Sequence, residues 1–323
     1  MLHAKISGVG CFLPETVLTN FDLEKMVETS DEWIIQRTGI RGRRISGKET
    51  YTSELAAKAA EDALKDAQMT PEEIDFIIVT TVSGEMIVPS TACTVQKQIG
   101  AKNAAAMDLN AACTGFIYAL TVAEGFIRAG MYKNILVIGA DCLSKVTNYQ
   151  DRKTCILFGD GAGAAVLTAS EGETGILQTV LKADGTGGDC LTLPFLKVTE
   201  EEVKAGTDRK IYMDGSEVFK FAVRAMAELT KEALEKQGLT TGQLDVLIPH
   251  QANMRIVEGA VKRLKIDKER VFTNLDRYGN MSNASIPVAL CEAVREGRMK
   301  PGDNVVLVGF GGGLTCGAAL IKW

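Results

Sequence analysis

The chain has 323 residues, 46% hydrophobic and 24% charged, a composition that suits a soluble globular protein of one large or two ordinary domains and excludes a disordered or collagenous one. A formal net charge of −5 argues against a general nucleic-acid binder, and neither a long apolar run nor a basic start followed by an apolar core is present, so no membrane span and no secretory leader are predicted. Eight scattered cysteines without a CxxC pair, with only two histidines, speak against a zinc cluster and for reduced thiols in the cytoplasm.

In chain order, an amphipathic helix is predicted over Ser53–Ala67, then a β-branched strand over Phe76–Thr81. A second helix, Gly115–Ala129, leads to a buried strand, Asn134–Gly139. The same order returns as helix Val218–Lys236, strand Asp245–Pro249, helix Ala284–Arg295 and strand Asn304–Gly309. Between the last two strands lies a further amphipathic helix, Asn253–Lys265. Short apolar runs flanked by helices suit strands covered on both faces, and the alternation indicates an α/β fold. Leu64 and Leu234, Thr70 and Thr240, Asp75 and Asp245, Asn110 and Asn280, and Asn134 and Asn304 are each 170 residues apart. One offset held across this span predicts two copies of one unit, residues 1–170 and 171–323, stacked with a cleft between equivalent strand ends.

Two nucleotide motifs nearly match and are rejected. Gly42–Glu49 has phosphate-loop spacing, but Glu49 stands where a hydroxyl should hold magnesium, and no apolar strand precedes the loop. Gly159–Ala164 fits GxGxxA, but a short strand rather than a long helix follows, so a glycine turn between two strands is expected.

Cys113, in Asn110-Ala-Ala-Cys113-Thr-Gly115-Phe, opens the second predicted helix. It is either a buried small hydrophobe or a nucleophile whose thiolate the free N–H groups of the helix N-terminus favour; position alone leaves both open. The other seven cysteines lack this setting and are expected to be structural. His250 follows an apolar strand directly, where ligands bind in open α/β sheets, whereas His3 has no such setting. Asn280 could simply cap the helix after it. The repeat changes that reading, because Asn280 matches Asn110, three residues before Cys113. A pseudo-twofold axis would bring Cys113, His250 and Asn280 into one cleft. The run Gly309-Phe-Gly-Gly-Gly-Leu-Thr315 is either a flexible turn or a backbone approach to substrate.

Taken together, Thr29-Ser-Asp-Glu-Trp33-Ile-Ile-Gln-Arg37-Thr-Gly-Ile-Arg41, the Ala111–Phe116 segment, Phe158-Gly-Asp-Gly-Ala-Gly163, His250-Gln-Ala-Asn253, Tyr278-Gly-Asn280 and Gly309–Gly313 span the chain. In these segments it resembles the 3-oxoacyl-(acyl-carrier-protein) synthase III family, the initiating condensing enzymes of bacterial fatty-acid synthesis. The resemblance implies a thiolase-like fold of five layers, αβαβα, and a homodimer. It also implies an acyl-CoA primer, malonyl-acyl carrier protein as second substrate, and no metal or redox cofactor. Cys113 would carry the acyl group, and His250 and Asn280 would donate to the enolate formed when CO₂ is lost. The N–H groups of Cys113 and Gly312 would hold the oxyanion. A non-catalytic carrier-protein-binding subunit would have no need of all three side chains.

By the same resemblance, Trp33 and Arg152 would sandwich adenine and Arg37 would meet the CoA phosphates. Gly215, Asn253 and Phe310 would line the substrate tunnel. Val88 stands where a Phe that closes the acyl pocket from the partner subunit is common in the family, and Cys316 where Trp is common, so a widened acyl pocket is expected. The carrier protein would dock on Gln251, Ala252, Asn253, Met254 and Arg255, with Lys262 and Arg263 on the exposed face of the Asn253–Lys265 helix.

Overall fold

A computed structural model describes residues 2–323. Nine strands form its two principal sheets. The first contains β1 (His3–Phe12), β2 (Phe76–Thr80), β3 (Ala105–Leu109), β4 (Asn134–Cys142) and β5 (Asp160–Ser170), in the order β1-β5-β4-β2-β3. The second contains β6 (Gly175–Ala183), β7 (Val246–Pro249), β8 (Asn304–Gly311) and β9 (Thr315–Lys322), in the order β7-β8-β9-β6. The helices of eight residues or more are α1 (Asp31–Thr38), α2 (Thr52–Ala67), α3 (Thr91–Ile99), α4 (Gly115–Arg128), α5 (Gly215–Glu235), α6 (Met254–Leu264) and α7 (Ser285–Arg295).

The sequence repeat reappears as hydrogen-bond register. Phe76 lies opposite Ile135 in the parallel pair β2–β4, and Val246 lies opposite Val305 in β7–β8, both partners shifted by 170. The matched polar residues explain how that register is held. The Asp75 carboxylate accepts the Asn134 N–H at 2.9 Å, and Asp245 accepts the Asn304 N–H at 2.8 Å. The Asn134 amide donates to the Glu73 carbonyl, and the Asn304 amide to the Gln243 carbonyl. Each clamp satisfies donors at the mouth of a buried strand that would otherwise be orphaned. The second sheet differs at its edge, where the counterpart of β3 is only an isolated parallel bridge between Leu247 and Val271.

Packing follows from which faces are apolar. Leu55, Ala59 and Ala63 of α2 and Val95 of α3 cover the outer face of the first sheet through Ile77 and Val79. Met226 and Leu234 of α5 and Ile256 and Ala260 of α6 cover the outer face of the second through Leu320. Between the sheets, Phe116 and Leu120 of α4 and Ile286 and Leu290 of α7 share one cluster with Ile78, Val137, Ile248 and Leu307. The two inner helices are apolar over most of their surface because both sheets cover them. The layer order is therefore αβαβα.

The Gly159–Ala164 run is not a turn. Strand β5 runs unbroken from Asp160 to Ser170, and its glycines serve packing. A Cβ on Gly163 would lie 2.6 Å from the Val288 nitrogen, and one on Gly139 of β4 would strike the Asn283 carbonyl oxygen. These bare strand positions let the first turn of α7 sit directly on the first sheet.

Candidate active site

Strand ends and helix starts converge on one large cleft of about 2520 Å³, well beyond the roughly 300–1,000 Å³ of an ordinary small-molecule pocket. Cys113, His250 and Asn280 all line it.

Cys113 stands two residues before α4, on an elbow whose preceding residue, Ala112, is held at φ +47°. That left-handed conformation is costly for alanine. The Asn110 side-chain oxygen accepts the Ala112 N–H at 3.0 Å and holds the elbow. The second copy repeats it: Ser282 has φ +46°, and the Asn280 side-chain oxygen accepts the Ser282 N–H at 2.8 Å. This bond orients the Asn280 amide, because only its oxygen can accept, so the NH₂ group is left as the donor. The main chain of Asn280 is pinned as well: its N–H donates to the Leu157 carbonyl, and its carbonyl accepts the Gly159 N–H.

His250 is 1% exposed, and burial alone pushes its pKa down to about 3. The ring is therefore neutral at neutral pH. It packs edge-on against Phe310 at 5.2 Å between centroids. Its Nδ1 has no hydrogen-bond partner among the described residues, so no protein acceptor opposes the tautomer that donates from Nε2. Cys113, for which position left two readings open, is itself desolvated. Burial pushes its thiol up to about 11, against a hydrogen bond from the Ser282 hydroxyl that pulls the other way. Desolvation, helped by the Asp141 carboxylate, outweighs the hydrogen bonds that favour the charged form, and the resting group is a thiol rather than a standing thiolate.

The glycine run at the end of β8 is pressed against the elbow. A Cβ on Gly311 would lie 2.6 Å from the Cys113 nitrogen. Gly312 also lines the cleft, and Thr315 ties the run to the elbow through its hydroxyl, 3.0 Å from that of Thr114 and 2.9 Å from the Ala111 carbonyl it donates to.

The remaining predicted residues divide. Trp33, Arg37, Val88, Arg152, Gly215, Asn253, Phe310 and Arg255 line the cleft. The guanidinium of Arg152 stacks on Trp33 at 5.1 Å and that of Arg37 at 5.6 Å, so an aromatic ligand would have to part this stack. Asn253 caps α6 by accepting the Arg255 N–H, and donates to the Arg37 carbonyl, which couples α6 to the end of α1. Lys262 and Arg263 are exposed on α6, as expected, while Met254 is half-buried.

Three expectations are corrected. Cys316 does not line the cleft. Thr315 turns toward Cys113, so strand alternation turns Cys316 to the other face of β9, into the core under α5 and α6. Gln251 cannot touch a docking partner, because it is fully buried. Its amide donates to the Pro249 carbonyl at 2.6 Å and its oxygen accepts the Asn274 N–H at 3.1 Å. Ala252 is 9% exposed and faces the cleft rather than the outer surface.

Sequence reasoning passed over Ser282, Asn283 and Asp141. The Asp141 carboxylate is fully buried, and burial raises its pKa. It accepts from the Thr81 and Ser83 hydroxyls, the Val82 N–H, and both the N–H and the amide of Asn283. It thereby joins the loop leading to Val88 with the loop carrying Asn280. Ser282 could have been found as the 170-residue counterpart of Ala112; Asp141 had no motif to announce it.

Comparison with known proteins accords with this geometry. Residues 107–185 match the family profile described as 3-oxoacyl-(acyl-carrier-protein) synthase III, and residues 234–323 match the profile of its C-terminal part. The chain is 56% identical to a beta-ketoacyl-(acyl-carrier-protein) synthase III of Desulfitobacterium hafniense, covering 100% of this chain and 98% of the relative. It is 55% identical to the protein of the same description from Clostridioides difficile, over 99% and 98%. The crystal structure of 3-oxoacyl-(acyl-carrier-protein) synthase III from Aquifex aeolicus superposes with a TM-score of 0.93 at 49% identity, covering 99% of this chain and 100% of that one. The five-layered architecture is thus thiolase-like, and the chain belongs to the 3-oxoacyl-(acyl-carrier-protein) synthase III family.

Proposed function

We propose that this enzyme condenses an acyl-CoA primer with malonyl-acyl carrier protein to give 3-oxoacyl carrier protein, CoA and CO₂. The observation that carries the reading is the meeting of a thiol at a helix start, a neutral buried imidazole and an oriented amide in one cleft.

In the first half-reaction the Cys113 sulfur attacks the thioester carbonyl, its negative charge stabilised as it develops by the N-terminus of α4. The proton lost by Cys113 is taken up by the departing sulfur, so CoA leaves as the thiol. In the second, malonyl thioester loses CO₂, and the electron pair of the broken C–C bond becomes an enolate. His250 and Asn280 donate to its oxygen; both are neutral, so neither must give up a charge to do so. The enolate carbon attacks the acyl-Cys113 carbonyl, whose oxyanion rests on the N–H groups of Cys113 and Gly312. Collapse expels the Cys113 sulfur and restores the thiol with a proton from solvent.

Arg37, Arg152, Lys153, Lys220 and Arg255 at the cleft support recognition of CoA phosphates and of an acidic carrier protein by a chain that is itself acidic. The exposed Lys262 and Arg263 on α6 extend this basic surface. A homodimer is supported by β3, which pairs only with β2 and leaves its other edge open, and by the neighbouring Met86, Ile87 and Val88, 60%, 65% and 82% exposed. The division into residues 1–170 and 171–323 is supported by the repeated register. A cytoplasmic location is supported by eight free cysteines, and no helix of the described residues is long and apolar enough to cross a membrane.

The half-reactions test the assignment separately. Cys113→Ser abolishes the acyl adduct seen by mass spectrometry after mixing with acyl-CoA. His250→Ala and Asn280→Ala retain most of it but decarboxylate malonyl carrier protein about 10²–10³-fold more slowly. An adduct that persists in Cys113→Ser, or wild-type decarboxylation in either alanine variant, refutes these roles.

A further inference from the structure

Away from the cleft, two cysteines distant in sequence meet across the halves. Cys11 is half-buried near the end of β1, and Cys291 is fully buried on α7. Their sulfurs and a carboxylate oxygen of Asp62 on α2 lie within 4.8 Å of one another. Arg295, one turn after Cys291, sets one guanidinium nitrogen 3.9 Å from the Cys11 sulfur and another 2.7 Å from the Asp62 carboxylate. The same carboxylate oxygen accepts the Cys11 N–H at 2.9 Å. None of these residues enters the condensation chemistry.

Two thiols and a carboxylate are three of the four ligands of a tetrahedral metal site. The guanidinium argues against that use: it already ion-pairs with the carboxylate and contacts one thiol, so a divalent cation would have to displace a fixed positive charge. The same guanidinium suits thiolate chemistry. We propose that Cys11 and Cys291 are a peroxide-reactive thiol pair, Cys11 being oxidised first and Cys291 resolving it to a disulfide that staples β1 to α7. The Cys11 thiolate attacks hydrogen peroxide, breaking the O–O bond to give sulfenic acid and hydroxide, which takes up a proton to form water. The Cys291 thiol then displaces the sulfenic hydroxyl, forming the S–S bond and releasing a second water. The two sulfurs supply both electrons that reduce the peroxide.

The surroundings favour this order. A hydrogen bond from the Cys291 thiol and the charge of Arg295 pull Cys11 below the usual thiol range, against burial and the carboxylates of Asp62 and Glu292. Cys291 is pushed upward by the same hydrogen bond and by burial. When the pair loses a proton, the charge therefore falls on the more accessible sulfur and the remaining proton stays on the buried one. Cys113, held as a thiol, is the slower target.

The test is titration of the reduced wild-type protein with hydrogen peroxide, followed by peptide mapping without reductant. The expected result is a linked Cys11–Cys291 peptide, two thiols lost per chain, reversed by dithiothreitol, before Cys113 is oxidised. In Cys291→Ser, dimedone should label Cys11. In Arg295→Gln, disulfide formation should slow several-fold. Oxidation of Cys93 or Cys113 with no linked peptide in the wild type overturns the proposal. So does dimedone labelling that spares Cys11, or an unchanged rate in Arg295→Gln.

Discussion

Gly311→Ala isolates what the close approach of the glycine run contributes. Gly311 does not have positive φ, so alanine meets no backbone penalty and the whole effect is steric. The new Cβ would sit 2.6 Å from the Cys113 nitrogen, 3.2 Å from the Ala112 Cβ and 3.3 Å from the Cys113 Cα, where ordinary contact begins at 3.4 Å. The elbow or the end of β8 must therefore retreat by about 0.8 Å. The elbow has little slack, because Ala112 is already at φ +47° and is tied by the Asn110 side chain. Overpacking of this kind costs about 1–3 kcal/mol, equivalent to a fall in Tm of about 1.5–4.5 °C for a chain of this size. The larger effect is on chemistry, since a displacement near 1 Å at a reacting atom costs about 10²-fold. The assay is the rate at which Cys113 gains an acyl group from acyl-CoA, followed by mass spectrometry, beside a thermal melt. Gly312→Ala is the control. Its Cβ would meet the Leu191 carbonyl at 3.1 Å and Ala112 only at 3.6 Å, so a smaller loss is expected. Wild-type acylation in Gly311→Ala, or a worse defect in Gly312→Ala, refutes the argument.

Three further outcomes are expected. The pKa of His250 is depressed in the fold, so its contribution to stability is fully present above about pH 6.5 and is lost as pH falls toward about 3; the wild type should lose Tm more steeply than His250→Asn between pH 6.5 and 4, and decarboxylation should show no inflection near 6.5 that His250→Asn abolishes. Val88→Phe should shift primer preference from four or more carbons toward acetyl-CoA, at about 0.8 kcal/mol for each CH₂ no longer buried; a neutral result in an acetyl-only enzyme removes Val88 from the acyl pocket. Arg255 is exposed and stacks over Phe219 at 5.6 Å, so Arg255→Glu should raise KM for malonyl carrier protein, weaken its salt dependence and leave Cys113 acylation unchanged; equal loss in both half-reactions assigns Arg255 to the fold or the CoA site.

Much of the architecture was legible because helices and buried strands carry their period in sequence. Gly115–Ala129 and Asn304–Gly309 were anticipated to within two residues of α4 and β8. What was not legible depends on three-dimensional contacts. The GxGxxA run reads as a turn until α7 is laid on it. Cys316 faces away from the cleft because Thr315 docks on the elbow, and that docking fixes the parity of β9. Gln251 looks like a surface amide beside the proposed catalytic histidine, yet its two ends satisfy backbone groups of loops it joins. Position alone left Cys113 open between a buried hydrophobe and a nucleophile, because the degree of desolvation belongs to the whole cleft.

With the proposed roles, the repeat also accounts for how one of two equivalent elbows is left free for chemistry. Asp141 on β4 and Gly311 on β8 are 170 residues apart, as are Cys113 and Asn283. In one pairing the Asp141 carboxylate accepts the Asn283 N–H at 3.0 Å, so that elbow is tied down by its neighbouring strand. In the other pairing the strand residue is Gly311, so near that an added Cβ would lie 2.6 Å from the Cys113 nitrogen, and it has no side chain to accept from that N–H. The Cys113 N–H therefore keeps its donor capacity for an oxyanion, in the position where the twofold-related N–H is held by a buried carboxylate. A carboxylate at residue 311 would also place a negative charge beside the acyl oxygen that must become negative itself. Symmetry supplies the two strained elbows, and the difference between aspartate and glycine on the facing strands decides which one is structural and which can bind charge.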